Sequence, residues 1–171
     1  VGEAVTPGWL TVSNCPSLSL FQTPSLTVVG GSVQVDQNTA LKHLKIDGVS
    51  HLKALFVEDN PSLETGSFMA LSTVGEGAGG LDVVAVTDNM LLETLDLGNL
   101  FQVVGGLSIR GNALTAGLML STLEVASAID FSQNQSVMLD ISALALDPLP
   151  SMLTIEDNTA LDEIVFHPSM G

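Results

Sequence analysis

Leu107-Ser108-Ile109-Arg110-Gly111-Asn112 sets two apolar residues one residue apart, then a turn-forming glycine and an asparagine. Two side chains in positions i and i+2 share one face of a β-strand. The same phrase recurs along the chain. Its asparagine, or a cysteine in the first instance, returns at Cys15, Asn38, Asn60, Asn89, Asn112, Asn134 and Asn158, with gaps of 23, 22, 29, 23, 22 and 24 residues. Five residues before each stands Leu10, Val33, Leu55, Val84, Leu107, Ile129 or Leu153, and three before each stands Val12, Val35, Val57, Val86, Ile109, Phe131 or Ile155. All fourteen are apolar in a chain that is 46% hydrophobic, a coincidence of about two in 10⁵ by chance. Three residues after the ladder position comes Leu18, Leu41, Leu63, Leu92, Val137 or Leu161, with Thr115 as the exception.

The repeat predicts a coil. After each strand the chain must turn, and a buried turn leaves backbone groups that need partners. An asparagine amide is both donor and acceptor, so stacked asparagines can satisfy the turns above and below them. Cys15 is small enough for the same slot, which predicts a buried, inert thiol. Leu44 and Ile46, Leu95 and Leu97, Leu118 and Leu120, and Ile164 and Phe166 fit a second inward-facing strand. Val28 and Val29, Val74, Val103 and Val104, and Val125 suggest a third side. A spacing near 24 lies in the leucine-rich-repeat range. No segment carries the sustained apolar spacing of three and four of a capped helix. The expectation is therefore an all-β, right-handed parallel β-solenoid of about seven coils, with residues 1–171 forming a single domain. At about 4.8 Å per coil the rod is about 35 Å long.

Residues 91 to 112, Leu91-Leu92-Glu93-Thr94-Leu95-Asp96-Leu97-Gly98-Asn99-Leu100-Phe101-Gln102-Val103-Val104-Gly105-Gly106-Leu107-Ser108-Ile109-Arg110-Gly111-Asn112, resemble the receptor L-domain family. Its hallmark V-x-G-x-L-x-I-x-x-N-x-x-L is approximated again by Val29-Gly30-Gly31-Ser32-Val33-Gln34-Val35, Asn38 and Leu41. That family includes the ligand-binding L domains of insulin and epidermal-growth-factor receptors and fungal cell-wall proteins. The resemblance covers residues 10 to 166 and implies a leucine-rich-repeat-related β-solenoid, with an extracellular or cell-surface location. The cysteine-rich modules that flank L domains in animal receptors have no counterpart here, so it implies a microbial or protist surface protein rather than a hormone receptor.

Charge narrows the partners. Nineteen acidic against four basic residues give a net charge of −15. Such a field repels phosphate backbones and anionic lipids, so no nucleic-acid partner is expected. The apolar runs are too short for a membrane-spanning helix, and no membrane insertion is expected. One cysteine forms no internal disulfide and carries no information on redox compartment.

The outward side chains of the first strand form the natural binding surface of a solenoid. One column reads Thr11, Gln34, Phe56, Ala85, Ser108, Asp130, Thr154; the next reads Ser13, Asp36, Glu58, Thr87, Arg110, Ser132, Glu156. Phe56 is the one aromatic on this face and the candidate anchor, with Glu58, Thr87 and Arg110 beside it as candidate ligand-binding residues. Asn14, Gln37, Asp59, Asp88, Gly111, Gln133 and Asp157 stand next to the ladder. Asp59 and Asp88, on adjacent coils, could share a calcium ion, but acids at turns are the simpler reading. Lys42, Lys45 and Lys53 cluster with His43 and His51, a local basic patch that reads as a solvated face. With His167 distant from both other histidines, no zinc site is expected. Asn134-Gln135-Ser136 is a glycosylation sequon on an inward asparagine. Gly75-Glu76-Gly77-Ala78-Gly79-Gly80 lacks the Lys-Ser/Thr of a phosphate loop and predicts a bulge in the longest coil. No G-x-S-x-G elbow is present, and no catalytic residues or cofactors are assigned. Scattered threonines argue against an ice-binding face.

The expected function is a non-catalytic recognition or scaffold module that binds a protein or glycan through the solenoid face. The alternative is a self-associating structural or adhesin segment of a surface layer; a carbohydrate-active solenoid enzyme is the least favoured. A solenoid needs capped ends, and little sequence outside Leu10 to Phe166 serves as cap, which points toward self-association or a longer array.

Overall fold

The computed structural model describes residues 8–75, 82–144 and 150–166. The predicted bulge at residues 76–80 and His167 lie outside them. Sixteen short strands, numbered along the chain, are wound into a parallel β-solenoid, and no helix occurs among the described residues. The ladder face holds β1 (Trp9–Ser13), β3 (Ser32–Asp36), β6 (Leu55–Glu58), β9 (Asp82–Thr87), β11 (Gln102–Arg110), β13 (Val125–Ser132) and β15 (Met152–Glu156) in that order. Seven successive strands on one face are joined by about six complete turns, slightly fewer than the seven coils expected. The register follows the sequence columns, from Leu10 over Val33 over Leu55 over Val84 to Leu107, Ile129 and Leu153.

The second face holds β2 (Leu20–Gln22), β4 (His43–Lys45), β7 (Thr65–Ser67) and β10 (Thr94–Asp96) in one sheet, and β12 (Leu118–Met119), β14 (Met138–Ile141) and β16 (Glu163–Phe166) in another. A third side is made by β5 (His51–Leu52), β8 (Thr73–Val74) and the leading ends of β11 and β13. The long strand β11 passes from the third side onto the ladder face, with a register irregularity between Val103 and Gly106 at the corner.

The inward columns of the interior coils form one continuous core, including Val33, Leu55, Val84, Leu107, Leu44, Leu97 and Leu118. Four expectations are corrected in detail. Val29 and Val103 are buried, but Val28 and Val104 are exposed, because consecutive residues of an extended chain face opposite ways. Thr115 is not a gap in the core: Leu114, one residue earlier, is buried in its place with φ at 45° and its N–H donated to the Leu92 carbonyl. In the next coil the expected Val137 is exposed, and Ser136 takes the inner place and donates its hydroxyl to the Met138 carbonyl. The split of the second face falls at the first of these slips, between β10 and β12. Ile164 and Phe166, expected inside, are partly exposed in the last winding, which has no described coil beyond it.

Candidate functional site

The asparagine ladder is the frame on which any site is hung. Asn38, Asn60, Asn89, Asn112 and Asn134 are buried and stacked in one corner. Each Oδ1 accepts the backbone N–H of the preceding ladder residue: Asn38 from Cys15 at 3.0 Å, Asn60 from Asn38 at 3.1 Å, Asn89 from Asn60 at 3.1 Å, Asn112 from Asn89 at 3.3 Å. Asn134 and Asn158 continue the series. Each Nδ2 donates to a carbonyl of the previous coil, for example Asn89 to Val57 at 2.9 Å and Asn112 to Val86 at 2.8 Å. The sequon asparagine is committed in the same way, its Nδ2 donating to Ile109. Cys15 departs from expectation: it is exposed, because it stands in the first described winding with no described coil above it.

The residue before each ladder position adopts a left-handed backbone in every coil: Asn14, Gln37, Asp59, Asp88, Gly111, Gln133 and Asp157 have φ between 52° and 64°. Asparagine and aspartate tolerate that conformation better than most residues, and glycine does so freely. This is the structural reason for Asp59, Asp88 and Asp157. At Gly111 a second constraint applies, since a Cβ would lie 2.5 Å from Asp88 Oδ1. Among the described residues no group of three or more His, Cys, Asp or Glu side chains converges on a point that suits a metal ion.

Strand pairing places the two outward columns side by side as the sequence implies, with Phe56 beside Ala85, Ala85 beside Ser108, and Ser108 beside Asp130. Glu58, Thr87 and Arg110 are likewise consecutive in the second column. The size sequence matters. The small residues Ala85 and Ser108 stand between the larger Phe56 and Asp130, so the sheet surface dips there. The longer Glu58 and Arg110 flank the dip, and Asp88 and Gln133 close it from the ladder corner. The resulting concavity, of about 310 Å³, is lined by Glu58, Ala85, Thr87, Asp88, Ser108, Arg110 and Gln133. Arg110 Nε lies 3.5 Å from Asp130 Oδ2, which leans the guanidinium along the rim, and Asp130 Oδ1 has no hydrogen-bond partner among the described residues.

Three of the four candidate residues, Glu58, Thr87 and Arg110, thus share one concavity. The fourth, Phe56, is half-buried on the same strand as Glu58 but outside the lining. Asp88 was singled out only as a calcium ligand beside Asp59, and Ser108, Ala85 and Gln133 were visible in the columns without being singled out; the drop in side-chain size at Ala85 and Ser108 is the signal that reveals them.

Two of the three lysines of the basic patch are in ion pairs. Lys42 Nζ lies 2.8 Å from Glu64 Oε1, and Lys45 Nζ lies 3.0 Å from Asp47 Oδ2. Burial pushes the Asp47 carboxyl up. Hydrogen bonds from the Ser67 hydroxyl, Lys45 and the Met69 N–H, with the Lys45 charge, outweigh it and hold the carboxyl below its usual value. The Lys42 hydrogen bond and charge likewise hold Glu64 low. His43 contacts the Thr65 hydroxyl and His51 the Ser50 hydroxyl, both on faces away from the concavity.

No protein-family model, curated protein or solved structure matches this chain. The class that the fold defines is therefore structural: a parallel β-solenoid with an asparagine ladder and a polar concavity on its ladder face.

Proposed function

We propose that the chain is a non-catalytic recognition module of the receptor L-domain kind, displayed at the cell surface or outside the cell. Its ladder face binds a protein or glycan ligand. The observation that carries this reading is the concavity itself, because it gathers groups of complementary chemistry on an otherwise flat sheet. One guanidinium, the Glu58 and Asp88 carboxylates, the Thr87 and Ser108 hydroxyls and the Gln133 amide surround a floor of Ala85. That mixture of donors and acceptors suits a hydroxyl- and amide-bearing surface, and Phe56 adds an apolar edge one coil away. The described histidines lie on other faces and Cys15 at one end.

The test is a screen of glycan and peptide arrays with the wild-type chain, repeated with Ser108→Tyr, which fills the dip, and Arg110→Ala. Ligands of this site lose binding at least tenfold with both substitutions. Hits that survive both, or a complete lack of hits in both libraries, would refute the reading.

A further inference from the structure

The class of ligand follows from the lining of the concavity once the ladder face is taken as the recognition surface, the reading on which it rests. Among the described residues that line it, Ala85 is the one apolar side chain. The Glu58 and Asp88 carboxylates only accept hydrogen bonds, the Arg110 guanidinium only donates, and the Thr87 and Ser108 hydroxyls and the Gln133 amide do both. Arg110 turns its Nε toward Asp130 at 3.5 Å, and a guanidinium carries further N–H groups for a ligand. A molecule that satisfies this set must donate and accept at short intervals around its rim.

The sheet itself chooses between a peptide and a sugar. Strands β6, β9, β11 and β13 cross the dip, and each is paired on both sides. No strand edge is open there, so an extended peptide has no backbone to pair with. The floor at Ala85 also gives no apolar socket to the large anchor side chains that dominate protein interfaces. Phe56 pairs in register with Ala85, which sets a half-buried aromatic beside that floor. A pyranose ring matches both features. Its hydroxyls meet the polar walls while its C–H face lies toward Ala85 and Phe56. The volume of about 310 Å³ is at the small end of ligand sites and suits one ring.

Charge narrows the sugar. Asp36 stands beside Glu58 in register, and the Arg110 charge is shared with Asp130. On a chain of net charge −15, the dip repels carboxylates and sulfates.

We propose that the concavity binds an uncharged glycan, one pyranose ring at a time, through adjacent hydroxyls, and rejects sugars that bear a carboxylate or sulfate. Asp88 is central to that choice. Its backbone is left-handed at φ 57°, and position 111 lacks a side chain where a Cβ would stand 2.5 Å from Asp88 Oδ1. The carboxylate therefore reaches over the next coil, where it accepts from a hydroxyl pair.

Arrays of defined oligosaccharides and of peptides, probed with the whole chain, test this. The sugars are neutral hexose and N-acetylhexosamine oligomers, each beside a uronate- or sulfate-bearing counterpart. Binding falls on neutral sugars, and an added carboxylate or sulfate weakens it by about tenfold or more. Asp88→Asn keeps a residue that tolerates the left-handed backbone, and it lowers binding of the neutral sugar by about tenfold with thermal unfolding unchanged. Glu58→Gln combined with Asp88→Asn reduces the discrimination against the acidic counterpart to about twofold, a change in selectivity that loss of packing does not produce. Hits confined to peptides or to acidic glycans would overturn this proposal and leave the recognition reading standing. Discrimination unaltered in the double variant would overturn it too. An absence of hits in both libraries would remove the two together.

Discussion

The ladder makes a prediction whose size can be worked from its hydrogen bonds. In Asn89→Ala the lost Oδ1 strands the buried Asn60 N–H, which it accepts at 3.1 Å. The lost Nδ2 strands the Val57 carbonyl at 2.9 Å, and with it the bonds to Thr87 O at 3.0 Å and Asn112 Oδ1 at 3.2 Å. Each buried group left without a partner costs about 1–3 kcal/mol. Two such groups in a corner closed to water give about 2–6 kcal/mol. Asn158→Ala removes chemically identical bonds, to Asn134 N at 2.9 Å and Phe131 O at 2.8 Å, at a partly exposed position. Water reaches the stranded groups there, and the expected loss is about 1–2 kcal/mol. Urea unfolding followed by far-ultraviolet circular dichroism measures both, with equal slopes required for the comparison. Equal losses for the two variants, or a loss under about 1.5 kcal/mol for Asn89→Ala, would refute the claim that burial of the ladder sets its worth.

Other outcomes follow from the same architecture. Because the folded Asp47 carboxyl titrates below its usual value of 3.8, its contribution is present above that pH and is lost as pH falls through the lower folded value. Stability of wild type should therefore fall more steeply below about pH 4 than that of Asp47→Asn, and parallel slopes would remove Asp47 from the account. Gln37 has φ at 56°, so Gln37→Gly should raise unfolding free energy by about 1 kcal/mol, and Gln37→Val should lower it by a similar amount or more. Thr115→Leu should change stability by less than about 0.5 kcal/mol, since Leu114 already fills the inner place. Leu114→Ala should cost about 2–3 kcal/mol in the same assay, and the reverse order would mean that the slip is misassigned.

Much of this architecture was legible because a solenoid repeats its constraints. Each inward position is sampled seven times, so the columns headed by Leu10 and Val12 and the ladder from Asn38 to Asn158 stand out from single-coil variation. What escaped lies where a coil departs from the average. Apolar identity alone does not say that Leu114, rather than residue 115, turns inward, because that depends on a left-handed backbone at a non-glycine residue. Val28 beside Val29 and Val104 beside Val103 look equivalent in hydropathy, yet alternation along an extended chain can bury only one of each pair. Cys15 occupies the slot its spacing implies, but burial of that slot is supplied by neighbouring coils, and among the described residues its winding has one on a single side. For the candidate site, the columns placed Glu58, Thr87 and Arg110 correctly beside one another. The concavity came from a contrast in side-chain volume, Phe56 and Asp130 against Ala85 and Ser108, which a search for reactive or aromatic residues passes over.

The break in the second face between β10 and β12 has a mechanical consequence. Strand pairing and the asparagine corner run unbroken along the ladder face, while the second face is two sheets of four and three strands meeting without a shared ladder of hydrogen bonds. Backbone bonds from Leu114 to Leu92 and from Ala116 to Glu93 still cross that seam, so a load that bends the rod meets less resistance there than on the fully paired ladder face. The two segments would flex about the ladder corner like leaves on a spine. The hinge line passes beside Asp88 and Gly111, so flexure there would open or pinch the dip between Glu58 and Arg110.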